Sequence, residues 1–204
     1  MESAAPKTCD RIVHAAMELF WEKGYGSTSI ADILARAEVN SGSLYHFFPG
    51  KQDLLVAVLD SYRDGIRPML LEPAWEGVED PLERVFALLA KYRELIVLTD
   101  ACYGCPIGSL ALELHEADPA VRDLMAANFT AWVDAVEECF RAAEHRFRAG
   151  TDLRGLAEMA LNVMEGGVMQ ARTYRDVAYF DRAVAQFRTS IERQMTRETA
   201  QPRQ

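Results

Sequence analysis

Apolar residues recur at intervals of three and four along nearly the whole chain, and no run alternates with the period of two that a strand requires. The pattern therefore predicts an all-α protein. From about Thr8 to Lys23, Ile12, Ala16, Leu19 and Phe20 share one helical face, and Gly24 is a plausible stop. A short second helix opens on Ser29 as N-cap, with Asp32 placed for a capping box, and Ile30, Ile33, Leu34 and Ala37 form its stripe. Asn40 can cap a third helix that ends near Phe47 and Phe48, before the break at Pro49-Gly50. A fourth starts at Lys51 and buries Leu54, Leu55, Val58, Leu59 and Tyr62, with Pro68 and Pro73 bracketing its end. Five more helices are expected at 80–99, 106–116, 118–148, 152–174 and 178–198. Pro81, Pro106 and Pro119 stand near three of the starts, and Thr199–Gln204 reads as a frayed tail.

Half of the 204 residues are apolar, enough for a sizeable core. No apolar run approaches the roughly 20 residues of a membrane-spanning helix, and the first residues lack the apolar stretch of a signal peptide. A cytoplasmic protein without membrane partners is the expectation. Cys9, Cys102, Cys105 and Cys139 are too few for a disulfide scaffold. The net charge of −9 argues against a broad, non-specific nucleic-acid binder but leaves room for a small reading patch.

Such a patch lies in residues 29–48, where two short amphipathic helices are joined by Glu38-Val39-Asn40. This is the layout of a helix-turn-helix, whose second helix enters the major groove of DNA. That helix begins Asn40-Ser41-Gly42-Ser43-Leu44-Tyr45-His46. Its small polar residues allow close approach, and their hydroxyls can reach base edges or phosphates. Tyr45 and His46 offer polar tips to phosphate oxygens, while Leu44, Phe47 and Phe48 are assigned to the core. Lys51 adds a charge at a helix N-terminus. With Thr28 and Ser29, the candidate DNA-binding set is Thr28, Ser29, Asn40, Ser41, Gly42, Ser43, Tyr45, His46 and Lys51.

The residues Thr28-Ser29-Ile30-Ala31-Asp32-Ile33, Val39 to Phe48 and Lys51-Gln52-Asp53-Leu54-Leu55 closely resemble the signature of the tetracycline-repressor (TetR) family. Ala15-Ala16, Leu19-Phe20 and Gly24-Tyr25 extend the match over residues 8–60. The resemblance implies nine or ten helices: an N-terminal three-helix helix-turn-helix domain (1–50), then a C-terminal helical ligand-binding and dimerisation domain (51–198). It implies a homodimer, built on the last two helices, on double-stranded operator DNA. Two departures stand out. Glu38 occupies a turn position where the family usually has glycine, so it is expected in a left-handed conformation at about 1–2 kcal/mol. Residues 1–65 also carry six Lys/Arg against nine Asp/Glu, a net −3, so DNA contact must rest on a few placed groups.

Beyond the motif, Met125, Phe129, Trp132, Val133, Val136 and Phe140 form one helical stripe, and Leu156, Met159, Ala160, Val163, Met164 and Val168 another. Most of these are expected to be plain core. Asn128, Asn162 and Glu165 interrupt them and, if buried, need partners. Cys105, Met125, Asn128, Phe129, Trp132, Asn162 and Glu165 are the candidate lining for a largely apolar effector. Gly166-Gly167 inside a helix suggests close approach at a dimer seam or pocket. The stretch Cys102 to Ala111 resembles the Gly-Cys-Pro-x-Gly-Ser-Leu segment of the family's LmrA/YxaF-like branch.

The reading that combines these features is a regulator, most simply a repressor, released from its operator by a small ligand. The alternative is a redox or electrophile sensor acting through Cys102 and Cys105, whose spacing is that of a thiol motif. A thiol oxidoreductase has no use for a helix-turn-helix. No catalytic constellation, cofactor motif or metal set is apparent.

Overall fold

A computed structural model describes residues 7–196. The helices are α1 (Thr8–Lys23), α2 (Ile30–Ala37), α3 (Ser41–Phe47), α4 (Lys51–Ile66), α5 (Glu72–Trp75), α6 (Pro81–Leu98), α7 (Pro106–Glu113), α8 (Pro119–Ala142), α9 (Leu153–Tyr174) and α10 (Ala178–Gln194). A π-helical turn, Arg67–Leu71, precedes α5, and a 3-10 turn, Glu144–Arg146, follows α8. Among the described residues the only β-type pairing is an isolated bridge between Phe147 and Met195. The predicted tail Thr199–Gln204 lies outside the described residues. No described helix is long and apolar enough to cross a membrane.

Contacts divide the chain into two compact units. The first holds the chain up to Asp64 together with Cys105–Asn128. Its core is Ile12, Ala15, Ala16, Leu19, Phe20, Ile33, Leu44, Leu54, Leu55, Val58 and Leu59, most of the apolar stripes expected of α1 to α4, while Ile30, Leu34 and Tyr62 are half-buried. Gly24 ends α1 with φ of 84°. Glu38 ends α2 in the left-handed conformation, φ 54°. At seven and eight residues, α3 and α2 are shorter than the roughly 12–15 residues at which an isolated helix holds in water, so their stability comes from caps and packing.

The second unit holds Gly65–Gly104 and the chain from Phe129 onward. Here α9 and α10 pack along their lengths, burying Leu156, Ala160, Met164 and Val168 of α9 and Phe180, Phe187 and Ile191 of α10. They pack tightly at Gly167: a Cβ there would lie 2.8 Å from the Phe180 ring. That glycine serves contact within the subunit, whereas a Cβ at Gly166 would meet nothing within 4 Å.

Several boundaries differ from the sequence pattern. Pro68 and Pro73 do not end the helical backbone. A π turn spans the first of them, with the Glu72 N–H donating to the Arg67 carbonyl, and Pro73 sits in the first turn of α5, where a missing N–H is tolerated. The helix expected over 118–148 stops at Ala142, because Phe147 turns extended to pair with Met195, and that same pairing ends α10 at Gln194. Met159, assigned to the core stripe, is 38% exposed.

Candidate nucleic-acid interface

The geometry of the helix-turn-helix is set by its caps. The Asp32 N–H donates to Ser29 Oγ (3.1 Å) and the Ser29 N–H to Asp32 Oδ2 (2.8 Å), a complete capping box. The Ser29 backbone and hydroxyl, with Lys23 at 3.1 Å, hold the Asp32 carboxyl down at about 2. At α3, the Ser43 N–H donates to Asn40 Oδ1 at 2.9 Å, and the Ser43 hydroxyl to the same oxygen at 3.2 Å. A Cβ on Gly42 would stand 3.3 Å from that oxygen, so glycine leaves the cap undisturbed.

These caps leave Ser29, Asn40, Ser41, Gly42, Tyr45 and His46 exposed, while Ser43 is half-buried. Tyr45 is 54% exposed, as suits a group that reaches outward. Phe47 departs from its core assignment: it is 41% exposed, with its ring edge against His46 at 4.9 Å. A seven-residue helix buries only a narrow strip, here Leu44, and Phe48 completes the core from the extended residue after the helix. The register of Leu44 and Phe48, four apart, is the signal that could have placed Phe47 outside.

Thr28 is braced inward. It is 1% exposed, and its hydroxyl donates to the Gly24 carbonyl (2.7 Å) and the Leu19 carbonyl (3.2 Å). Lys51 is half-buried; its ammonium donates to the Tyr25 carbonyl and lies 4.1 Å over the Tyr25 ring. Burial pushes the Lys51 pKa down, against the pull of Glu113 and Asp32. Other cations of this unit are also engaged within it: Arg36 pairs with Glu18 and Glu22, Lys23 with Asp32, and Arg63 with Asp60 and Asp64. The outward face is thus mainly neutral, made of hydroxyl, amide, imidazole and aromatic groups.

The candidate effector residues divide between the units. In the first, Cys105 is the buried N-cap of α7, and Met125 is buried. Asn128, 4% exposed, donates from its side-chain amide to the carbonyls of Leu59 (3.0 Å) and Leu124 (2.9 Å), which accounts for an otherwise costly buried polar group. In the second, Trp132 is buried and its indole N–H donates to the Tyr92 hydroxyl at 3.1 Å. Phe129 and Glu165 are half-buried, and Asn162 is exposed. Among the described residues no group of three or more His, Cys, Asp or Glu is placed to hold a metal ion.

Two family models match. Residues 12–58 match bacterial regulatory proteins of the tetR family, and residues 81–186 match the C-terminal domain of LmrA/YxaF-like transcriptional regulators. The chain belongs to the TetR family. It is 32% identical over 190 residues to the HTH-type transcriptional regulator Rv0196 of Mycobacterium tuberculosis, covering 89% of this chain and 93% of that one. It is 28% identical over 168 residues to the regulator YxaF of Bacillus subtilis, covering 82% and 86%. Its fold is similar to the crystal structure of the regulatory protein TetR from Rhodobacter sphaeroides, with a TM-score of 0.79 and 26% identity over 87% of this chain and 95% of that one. The first match covers most of α1, all of α2 and α3 and the first half of α4, and the second runs from the start of α6 into α10.

Proposed function

We propose that this TetR-family regulator is a cytoplasmic repressor that grips a pseudo-palindromic operator as a homodimer and leaves it when a small, largely apolar ligand binds. The observation that carries the reading is the outward face of α3, where Ser41, Gly42, Tyr45 and His46 stand exposed beside a capped, rigid helix start. A two-fold dimer mirrors its operator, and a bound dimer excludes other proteins from the same duplex. Residues 1–50 serve as the reading domain and 51–198 as the ligand-binding and dimerisation domain. Because four of the six Lys/Arg in residues 1–65 (Lys23, Arg36, Lys51 and Arg63) are engaged internally, affinity falls only shallowly with salt, by about 0.9 log units per tenfold rise in salt for each phosphate neutralised.

Selection from random duplexes tests the operator. Paired, inverted half-sites are expected, and single unpaired ones would overturn the dimer on DNA. Tyr45→Ala weakens binding on every sequence, whereas Ser41→Ala changes the preferred base with little effect on general affinity.

Release needs a ligand that favours the conformer unable to match the operator. The support for an apolar ligand is the aromatic-rich apolar stripe of α8, with Phe129, Trp132 and Phe140, and the family membership. By reciprocity, operator DNA weakens ligand binding by the same factor, typically about 5–150-fold. A second reading, release by thiol chemistry, rests on Cys102: it is exposed, and Arg175 Nη1 donates to its sulfur at 2.9 Å. Hydrophobic compounds and peroxide are applied to operator complexes of the wild type, Cys102→Ser and Cys105→Ser. Release by compounds in all three supports the ligand; release by peroxide in the wild type alone supports the thiol.

A further inference from the structure

The turn that joins α1 to α2 is held by a carboxylate far away in sequence. Glu113, the last residue of α7, accepts the Tyr25 N–H at Oε2 (2.9 Å) and the Gly26 N–H at Oε1 (2.6 Å). Two glycines make room for it. A Cβ on Gly24 would lie 2.8 Å from Oε2, and one on Gly26 would lie 2.9 Å from Oε1.

The clamped turn is also where the rest of the head is fastened. Thr28, at its far end, ties back to the Gly24 carbonyl just before the Ser29 cap of α2. Lys51, the first residue of α4, donates to the Tyr25 carbonyl and covers the Tyr25 ring. The starts of α2 and α4 therefore share one anchor, and α3 lies between them in the chain.

We infer that Glu113 is a positioning residue for operator recognition. Its paired bonds to main-chain N–H groups are charge-assisted and directional. They fix the 24–28 turn, and through Thr28 and Lys51 they fix the elements on both sides of α3. Glu113 acts on the angle at which α3 meets the groove and touches no DNA itself. The clamp rests on the operator-binding reading above.

The test compares Glu113→Ala, Glu113→Gln and Gly26→Ala. Each is assayed on the operator found by selection and on a scrambled duplex of equal length, with thermal unfolding measured alongside. Gly26→Ala leaves Glu113 in place but displaces its carboxylate, and the displaced group is the mobile end of a side chain, so folding is retained. Operator affinity is expected to fall about tenfold in Glu113→Ala and in Gly26→Ala, and less in Glu113→Gln, which keeps one acceptor. Scrambled-duplex affinity stays within about twofold of wild type. The double variant Glu113→Ala/Gly26→Ala is no worse than Glu113→Ala alone. A purely structural role would lower the unfolding temperature and leave the ratio of operator to scrambled affinity untouched. An unchanged ratio, or a double variant whose losses multiply, overturns the clamp. Should Glu113→Ala fail to fold, Gly26→Ala and Glu113→Gln decide the matter by the same ratio. A wild type that selects no preferred sequence removes the operator reading and the clamp together, whereas operator binding with an unchanged ratio removes the clamp only.

Discussion

The short helices α2 and α3 and the long pair α9 and α10 are stabilised by different physics. The first two are held at their ends. Ser29 and Asp32 close one, Asn40 and Ser43 the other, and few side chains on either are fully buried. The long pair is held along its flanks: α9 alone buries eight residues, and α10 adds three, two of them phenylalanines. The difference teaches where a binding face can be placed. A helix fixed by its caps can leave most of its circumference to a partner, as α3 does. A helix fixed by an apolar stripe gives that face to the core and keeps only the remainder for a partner, as α9 does with Met159, Met169 and Tyr174.

Packing deletions should separate the two modes most sharply. Phe180→Ala removes a ring that is 1% exposed and lies against Gly167, and it is expected to lower unfolding stability by about 3–5 kcal/mol in urea titrations. A smaller change comes from Ser29→Ala, which deletes a cap on an exposed face and should cost about 1 kcal/mol. If Ser29→Ala proved the more damaging of the two, the contrast between caps and flanks would be wrong. The smallest effect is one of acid. The folded state holds the Asp32 carboxyl at about 2, below its ordinary 3.8, through the Ser29 backbone first, then the Ser29 hydroxyl and Lys23. A depressed carboxylate contributes stability that is complete above its unfolded value and is lost as pH falls through its folded one. The stability gap between wild type and Asp32→Asn should therefore be constant near neutrality, narrow below about pH 4 and close near pH 2. A gap that stayed level down to pH 2 would count against the capping box as its source.

Much of the head was legible in the sequence because its determinants are local. Ser29 with Asp32, Asn40 before a short apolar stripe, and Gly24 after a long one are contacts within a turn or two, and the structure has each of them. Glu38 in the left-handed region was legible for the same reason. What was not legible depends on distance or on competition. Glu113 meets its turn from 88 residues away for Tyr25, and nothing around either residue announces the other. Phe47 follows the apolar spacing, yet Leu44 and Phe48 fill the strip that a seven-residue helix can bury. Pro68 carries the usual stop signal, but a π turn absorbs it. In the second unit the apolar period located the helices. It could not say that Gly167 answers to Phe180, or that Phe147 and Met195 would pair and shorten two helices at once.

The contact between Gly167 and Phe180 also bears on how this sequence can drift. With 2.8 Å between a notional Cβ and the ring, a methyl gained at 167 must be answered by movement or shrinkage at 180. The backbone of Phe180 lies 3.5 Å from the same point, an ordinary van der Waals distance, so the crowding comes from the ring and a smaller side chain at 180 relieves it. Among descendants of this chain, the two positions should change as a pair, the larger residue at one accompanying the smaller at the other. Lineages that keep glycine at 167 remain free to keep phenylalanine at 180.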